Sequence, residues 1–202
     1  MAKAYIGMGG NVPSLAGRPE ATLTAALDRL GRLGRVMRRS SLYSTDPVGF
    51  ADQPRFVNAV VELETKLEPR LLLDGLLRIE HEFGRDRSTG IPNGPRTLDL
   101  DILLCGDAAL SEAGLEIPHP RLAERVFALV PLCEIDPSIV HARLGQTVQE
   151  LLQTLNQGSG NGVDAPIAIQ WDDWPAGACH VGDGAAVAVR SGSGEPEPGG
   201  GG

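Results

Sequence analysis

Cysteine is scarce in this chain. Its three, Cys105, Cys133 and Cys179, are odd in number and far apart, with no CxxC pair and no Cys/His cluster. That excludes a sequence-evident zinc centre and points to reduced thiols in a cytosolic protein. Long hydrophobic runs are missing too. No stretch approaches the roughly 20 apolar residues that span a bilayer. The opening Met1-Ala2-Lys3-Ala4-Tyr5-Ile6 lacks the apolar core of a secretion signal. A cytoplasmic protein with no membrane partner is expected. Positive charge is in deficit: Lys and Arg number 18 against 26 Asp and Glu, a formal net charge of -8. Non-specific nucleic-acid binding is therefore not expected, although a small anionic ligand needs only local positive charge. Finally, Gly7-Met8-Gly9-Gly10-Asn11 fits neither GxxxxGKS/T nor GxGxxG. It reads as a strand-to-loop turn rather than a phosphate loop.

What is present is ordinary globular composition, 42% hydrophobic and 22% charged over 202 residues, enough for one domain and its core. The character changes near residue 157. Residues 1–157 read as alternating strands and helices, and residues 158–202 as a Gly-rich extension ending in GSGEPEPGGGG. Residues 192–202 cannot bury enough apolar surface to offset their ordering entropy and are read as disordered. Between 163 and 190 two readings compete. Ile167, Ile169, Trp171 and Trp174 dock and AVAVR at 186–190 forms a short strand, or the whole stretch is a loose extension; the second is favoured.

Within the domain, periodicity predicts strands at 4–8, 36–43, 55–63 and 97–105 and helices at 18–33, 69–83 and 146–155. The order β-α-β-β-α-β, with helical additions, predicts an α+β fold of the ferredoxin-like, split βαβ type. Its sheet is expected to carry helices on one face and to leave the other open for a ligand.

The strongest chemical signal is Thr97-Leu98-Asp99-Leu100-Asp101-Ile102. Strand alternation puts Asp99 and Asp101 on one face and Leu98, Leu100 and Ile102 on the other. Two adjacent carboxylates need something positive between them. Mg²⁺ with phosphate oxygens fits, as does an Arg bridge or a solvated face. Upstream, Arg85, Arg87 and Arg96 flank a Gly- and Pro-containing loop, a candidate lid for phosphoryl transfer; the same arginines can instead pair with Glu80, Glu82 and Asp86. His119, Arg121 and Arg125 cluster near an expected helix start. On the 55–63 strand Phe56 and Asn58 share a face. A ring beside a carboxamide can stack on a flat heterocycle and read its edge, with the Tyr43–Gly49 turn alongside.

Together AYIGMGGN, SSLYSTDPVG, DQPRFVNAVVELET, RIEHEFGR, GPRTLDLDILL and EIPHPRLAERVFALVPLCEI resemble the hydroxymethyldihydropterin pyrophosphokinases of folate biosynthesis over residues 3–155. The resemblance implies an ATP-dependent diphosphokinase that transfers pyrophosphate to the pterin alcohol and releases AMP. It implies two Mg²⁺ ions on Asp99 and Asp101, with Arg85 and Arg96 clamping phosphates. Arg87, His119 and Arg125 would face the nucleotide. Thr45, Pro47, Val48, Phe56 and Asn58 would form the pterin pocket, with Phe127 stacking on the ring and Glu80 supporting the site. A monomer with ATP and the pterin as its partners is expected. Asn93, Asp46, Phe56 and Pro120 depart from residues common in the family, and the extension after 157 has no counterpart there. Two rivals stand beside this reading. One is another small ATP-dependent phospho- or nucleotidyl-transferase. The other is a ferredoxin-like RNA-binding module, which the 4% aromatic content disfavours.

Overall fold

Two long apolar segments organise the sheet. In the computed structural model, which describes residues 1–87, 92–158 and 166–175, β1 (Ala2–Gly10) is an inner strand. It pairs antiparallel with β4 (Phe56–Thr65) from Ala2 opposite Thr65 to Gly10 opposite Val57. On its other side runs β5 (Asp99–Cys105), also antiparallel. β2 (Arg35–Arg39) and β3 (Leu42–Thr45) both pair with β4, and β8 (Ile167–Ile169) pairs with β3. The main path is β5-β1-β4-β3-β8. A hairpin of β6 (Leu110–Glu112) and β7 (Leu115–Ile117), not foreseen from the sequence, stands apart.

One helical layer follows from the expected periodicities. α1 (Pro19–Leu30) opens on a proline, whose missing N–H costs nothing in a first turn. It buries Leu23, Ala26, Leu27 and Leu30. α2 (Pro69–Glu82) starts in the same way and buries Leu72, Leu76 and Ile79. These meet Ala4, Ile6, Val57, Ala59, Val61, Leu98 and Leu100 from one face of the sheet. Each fully buried Leu or Ile there contributes about 1.5–3 kcal/mol relative to exposure.

The opposite face is not open, as had been expected. α3 (Val126–Ile135) and α4 (Val148–Gly158) pack on it through Leu129, Leu132, Val148 and Leu151 against Tyr5, Val60 and Leu103. They cover only part of the face, and a cavity remains beside them. Charge ties this second layer down. The Arg38 guanidinium donates to the buried Glu62 carboxylate, to the Ile135 carbonyl and to Asp136. Glu134 accepts from the Ser41 amide and hydroxyl and from the Tyr43 hydroxyl.

Three further expectations are corrected. The strand expected over 36–43 is two strands, because Ser40 interrupts the ladder: its hydroxyl, not a backbone carbonyl, takes the Val60 amide. Residues 7–10 stay within β1 rather than turning. And residues 166–175 are not loose. β8 aligns Leu42 with Ile169 and Ser44 with Ile167, the Trp174 indole N–H donates to the Ser40 carbonyl at 2.9 Å, and Trp171 and Trp174 pack on the first core. Two indole rings and a strand ladder supply the burial that the flanking Gly-rich composition lacks. The possible strand at 186–190 and the end at 192–202 lie outside the described residues.

Candidate active site

The exposed floor of the sheet is built from alternate residues of three strands. On β5 the alternation holds as expected: Leu98, Leu100 and Ile102 are in the first core, while Asp99 and Asp101 line a cavity of about 480 Å³ on the other face. β1 sets Gly9 opposite Asp99 and Gly7 opposite Asp101. On its far side the same Gly9 is opposite Asn58 of β4. A row therefore runs Asp99, Gly9, Asn58 across the sheet. A Cβ at position 9 would sit 2.7 Å from the Asn58 Oδ1. The glycines keep the floor clear between the carboxylates and the carboxamide. Glycine in a strand marks such a close approach, and that signal in Gly7-Met8-Gly9 went unread in the sequence.

Basic side chains surround the carboxylates. Arg96 Nε lies 3.1 Å from Asp99 Oδ2, without hydrogen-bond geometry, and its guanidinium sits 4.7 Å over the Phe56 ring. Arg87 Nη2 is 3.6 Å from Asp99 Oδ1, and Arg125 Nη1 is 3.8 Å from Asp101 Oδ2. Burial, then the Asp99 charge, nevertheless push the Asp101 carboxyl up to about 6. The site is short of positive charge at Asp101. Its donors are carboxylate oxygens, and among the described residues no group of three or more His, Cys, Asp or Glu side chains gathers. Two carboxylates that leave the remaining positions to phosphate and water fit Mg²⁺.

His119 is held nearby, with Nε2 at 4.0 Å from Asp101 Oδ2. Burial, then the charge of Arg125, lower its pKa to about 4, so it is neutral near pH 7. Its Nδ1 accepts the Arg121 amide at 3.1 Å, and Arg125 Nη1 lies 3.4 Å from its Nε2.

Glu80 is buried at the edge of the sheet. Its Oε1 accepts the Leu100 amide at 2.8 Å, between the two aspartates, and both its oxygens accept from Arg87 at 2.7 and 2.8 Å. Arg87 thus takes the partner that the sequence offered as its alternative to a nucleotide. Arg85, Arg87 and His119 are not among the cavity-lining residues; Arg96, Arg125, Asp99 and Asp101 are. Residues 88–91 of the expected lid loop lie outside the described residues.

The far end of the cavity gathers Thr45, Pro47, Val48, Phe56, Asn58 and Phe127. All six residues expected around a heterocycle are brought together. The Asn58 carboxamide donates to Thr45 Oγ1 at 2.7 Å, which leaves one amide hydrogen for a ligand. Arg121, of the second basic cluster, lines the cavity too. Asn93, Glu124 and Pro166 also line it and were missed, because none lies in a segment whose periodicity marks a face. So was the buried Asn11. Its side chain donates to Gln53 Oε1 and to the Pro54 carbonyl, and accepts the Arg96 amide, so one residue holds Arg96 against the segment that enters β4.

Comparison with known proteins gives a family. The model of the family described as 7,8-dihydro-6-hydroxymethylpterin-pyrophosphokinase (HPPK) matches residues 5–137. A Pseudomonas aeruginosa protein named 2-amino-4-hydroxy-6-hydroxymethyldihydropteridine pyrophosphokinase is 45% identical over 139 residues, 68% of this chain and 82% of that one. A Bacillus subtilis (strain 168) protein of the same name is 41% identical over 160 residues, covering 78% and 92%. Among solved structures, wild-type Plasmodium falciparum HPPK-DHPS shares the fold with a TM-score of 0.59 at 16% identity. That match covers 76% of this chain and 44% of the Plasmodium polypeptide, so the chain spans less than half of it.

Proposed function

Since the chain belongs to the 7,8-dihydro-6-hydroxymethylpterin-pyrophosphokinase family, and is thus a diphosphate-transferring enzyme of folate synthesis, we propose that it moves pyrophosphate from ATP to 6-hydroxymethyl-7,8-dihydropterin and releases AMP. The observation that carries this is the row Asp99, Gly9, Asn58, which sets a carboxylate pair and a heterocycle-reading carboxamide in one cavity across a side-chain-free floor. We also read the strand path and helix order as ferredoxin-like, and the protein as a cytoplasmic monomer.

The acceptor ring lies between Phe56 and Phe127, with Asn58 and the Thr45–Val48 segment along its polar edge. Its CH₂OH then points over Gly9 toward the carboxylates. In line, the hydroxyl oxygen forms a bond to the β-phosphorus as the bond to the α,β-bridging oxygen breaks; AMP leaves with that electron pair and the hydroxyl proton is released. Asp99 and Asp101 would hold two Mg²⁺ ions, which supply neutralising charge to phosphate oxygens and acidity to the hydroxyl. Arg96, already between Asp99 and the Phe56 ring, donates to the transferring group, where charge develops. Arg125 and His119 approach from the Asp101 side, and Arg85 and Arg87 reach the nucleotide once Arg87 exchanges Glu80 for phosphate.

Mass spectrometry of products from the chain, Mg-ATP and the pterin alcohol tests the reading. Pterin diphosphate with AMP is expected; pterin monophosphate with ADP overturns it. Acceptor recognition has its own test. Asn58→Ala is expected to weaken pterin binding by about tenfold or more, since unmatched buried polar groups cost roughly 1–3 kcal/mol, while binding of a Mg-ATP analogue holds. Calorimetry showing equal loss of both ligands would remove Asn58 from recognition.

A further inference from the structure

The acceptor end of the cavity has a wall that comes from beyond residues 5–137, the span matched by the family model. Pro166 lines the cavity and leads directly into β8. β8 covers the outer side of β3, with Leu42, Tyr43 and Ser44 facing Ile169, Ala168 and Ile167. β3 needs such support. It has four residues and meets β4 only through Tyr43, Ser44 and Thr45. Yet it delivers Thr45, the hydrogen-bond partner of Asn58, and then runs straight into Pro47 and Val48.

The far end of the segment is fastened. The Trp174 indole N–H donates to the Ser40 carbonyl at 2.9 Å, and Arg39 Nε donates to the Pro175 carbonyl at 2.6 Å. Ser40 lies between β2 and β3, with its amide still donating to the Val60 carbonyl, so the fastening sits at the joint between the two strands. Proline at 166 carries a fixed φ, which makes a stiff wall rather than a yielding one.

We propose that residues 166–175 are a brace for acceptor recognition: they fix β3 and the Thr45–Val48 segment, and through Pro166 close the cavity around a flat bicyclic ring. The proposal rests on the pterin reading above. Its reach is limited by the sheet. β8 and β5 are four strand spacings apart on the path β5-β1-β4-β3-β8, roughly 19 Å at about 4.8 Å per strand, so the carboxylate pair on β5 is remote from the segment. Trp174 is a positioning residue in this scheme, and acceptor affinity should move while nucleotide affinity does not.

Two substitutions in the full-length chain test this. Trp174→Phe keeps the ring and removes the indole donor; Pro166→Gly removes the wall and its stiffness. Affinities for the pterin alcohol and for a Mg-ATP analogue are measured by calorimetry, with near-ultraviolet circular dichroism as the check on fold. Trp174→Phe is expected to weaken pterin binding by about tenfold, the worth of one partly buried hydrogen bond. Pro166→Gly should weaken it by about threefold, from lost stiffness. The analogue should bind both variants as it binds wild type. Unchanged pterin affinity in both folded variants overturns the brace alone. Parallel loss of both ligands also overturns it, since that marks general loosening. A wild-type chain that binds the analogue but no pterin alcohol overturns the pterin reading and the brace with it.

Discussion

Asp101→Asn is expected to lower turnover by more than about a thousandfold while making the ligand-free protein more stable. The kinetic part follows from charge. Asp101 is one of two carboxylates available to hold the cations proposed for the phosphates, and such ions supply several kcal/mol of charge stabilisation, about 4 kcal/mol corresponding to a thousandfold. Stability moves the other way because the carboxyl is pushed up from 3.8 to about 6 by burial and by Asp99. Its folded-state pKa lies above its unfolded value, so between those two values the folded protein holds more protons than the unfolded chain. Wild-type stability falls as pH rises through that window and levels off above it. The asparagine variant escapes the fall. The side chain is 36% exposed, which discounts the effect for solvent screening to on the order of 1 kcal/mol, or about 2–4 °C in a chain of this size. Thermal melts without metal should show the gap between variant and wild type opening from about pH 4 to pH 6. Turnover near wild type at saturating Mg-ATP would refute the metal role, and a gap independent of pH would refute the electrostatic one.

Arg96→Ala is expected to cut kcat by about a hundredfold, on the order of 3 kcal/mol, with a smaller effect on the KM for ATP. Its guanidinium touches Asp99 and Phe56 at once, at the junction of the two ends of the cavity. Its backbone is pinned by Asn11, whose amide and side chain take the Arg96 carbonyl and amide. A donor held that firmly is placed for charge that develops during transfer rather than for ground-state attraction. Steady-state kinetics that raise only KM would reassign Arg96 to ground-state binding.

Much of this site was legible in the sequence because it is made of strands. A period of two sorts Asp99 and Asp101 from Leu98, Leu100 and Ile102, and Phe56 and Asn58 from Val57, Ala59 and Val61, without any knowledge of neighbours. The helices α1 and α2 announced themselves in the same way, through 3.6-residue spacing. Other features depend on which strands become neighbours. Gly7 and Gly9 carry no side chain to sort, so a strand passage read as a turn. Ser40 breaks a ladder only because its hydroxyl meets the Val60 amide. The side of the sheet on which α3 settles is decided by partners such as Glu134 with Ser41 and Arg38 with Asp136, more than 90 residues apart in sequence. Pro166 and Trp171 sit in a stretch whose overall composition argues for looseness, and two indoles outweigh it locally.

The second layer bears on the order in which the molecule comes apart. The first core joins α1 and α2 to β1, β4 and β5 and holds most of the buried apolar side chains. The α3–α4 layer meets the sheet through a smaller cluster and is tied at its margin by Glu134 and Asp136. A layer with fewer buried apolar contacts opens more readily than the rest. Amides of α3 are therefore expected to exchange with solvent deuterium ahead of those in β1 and β4. Phe127 and Arg125 stand at the entrance to α3, so occupancy of the cavity by either substrate should slow that exchange by mass action on the closed form. The wall proposed to recognise the substrates would then be the part of the fold they stabilise most.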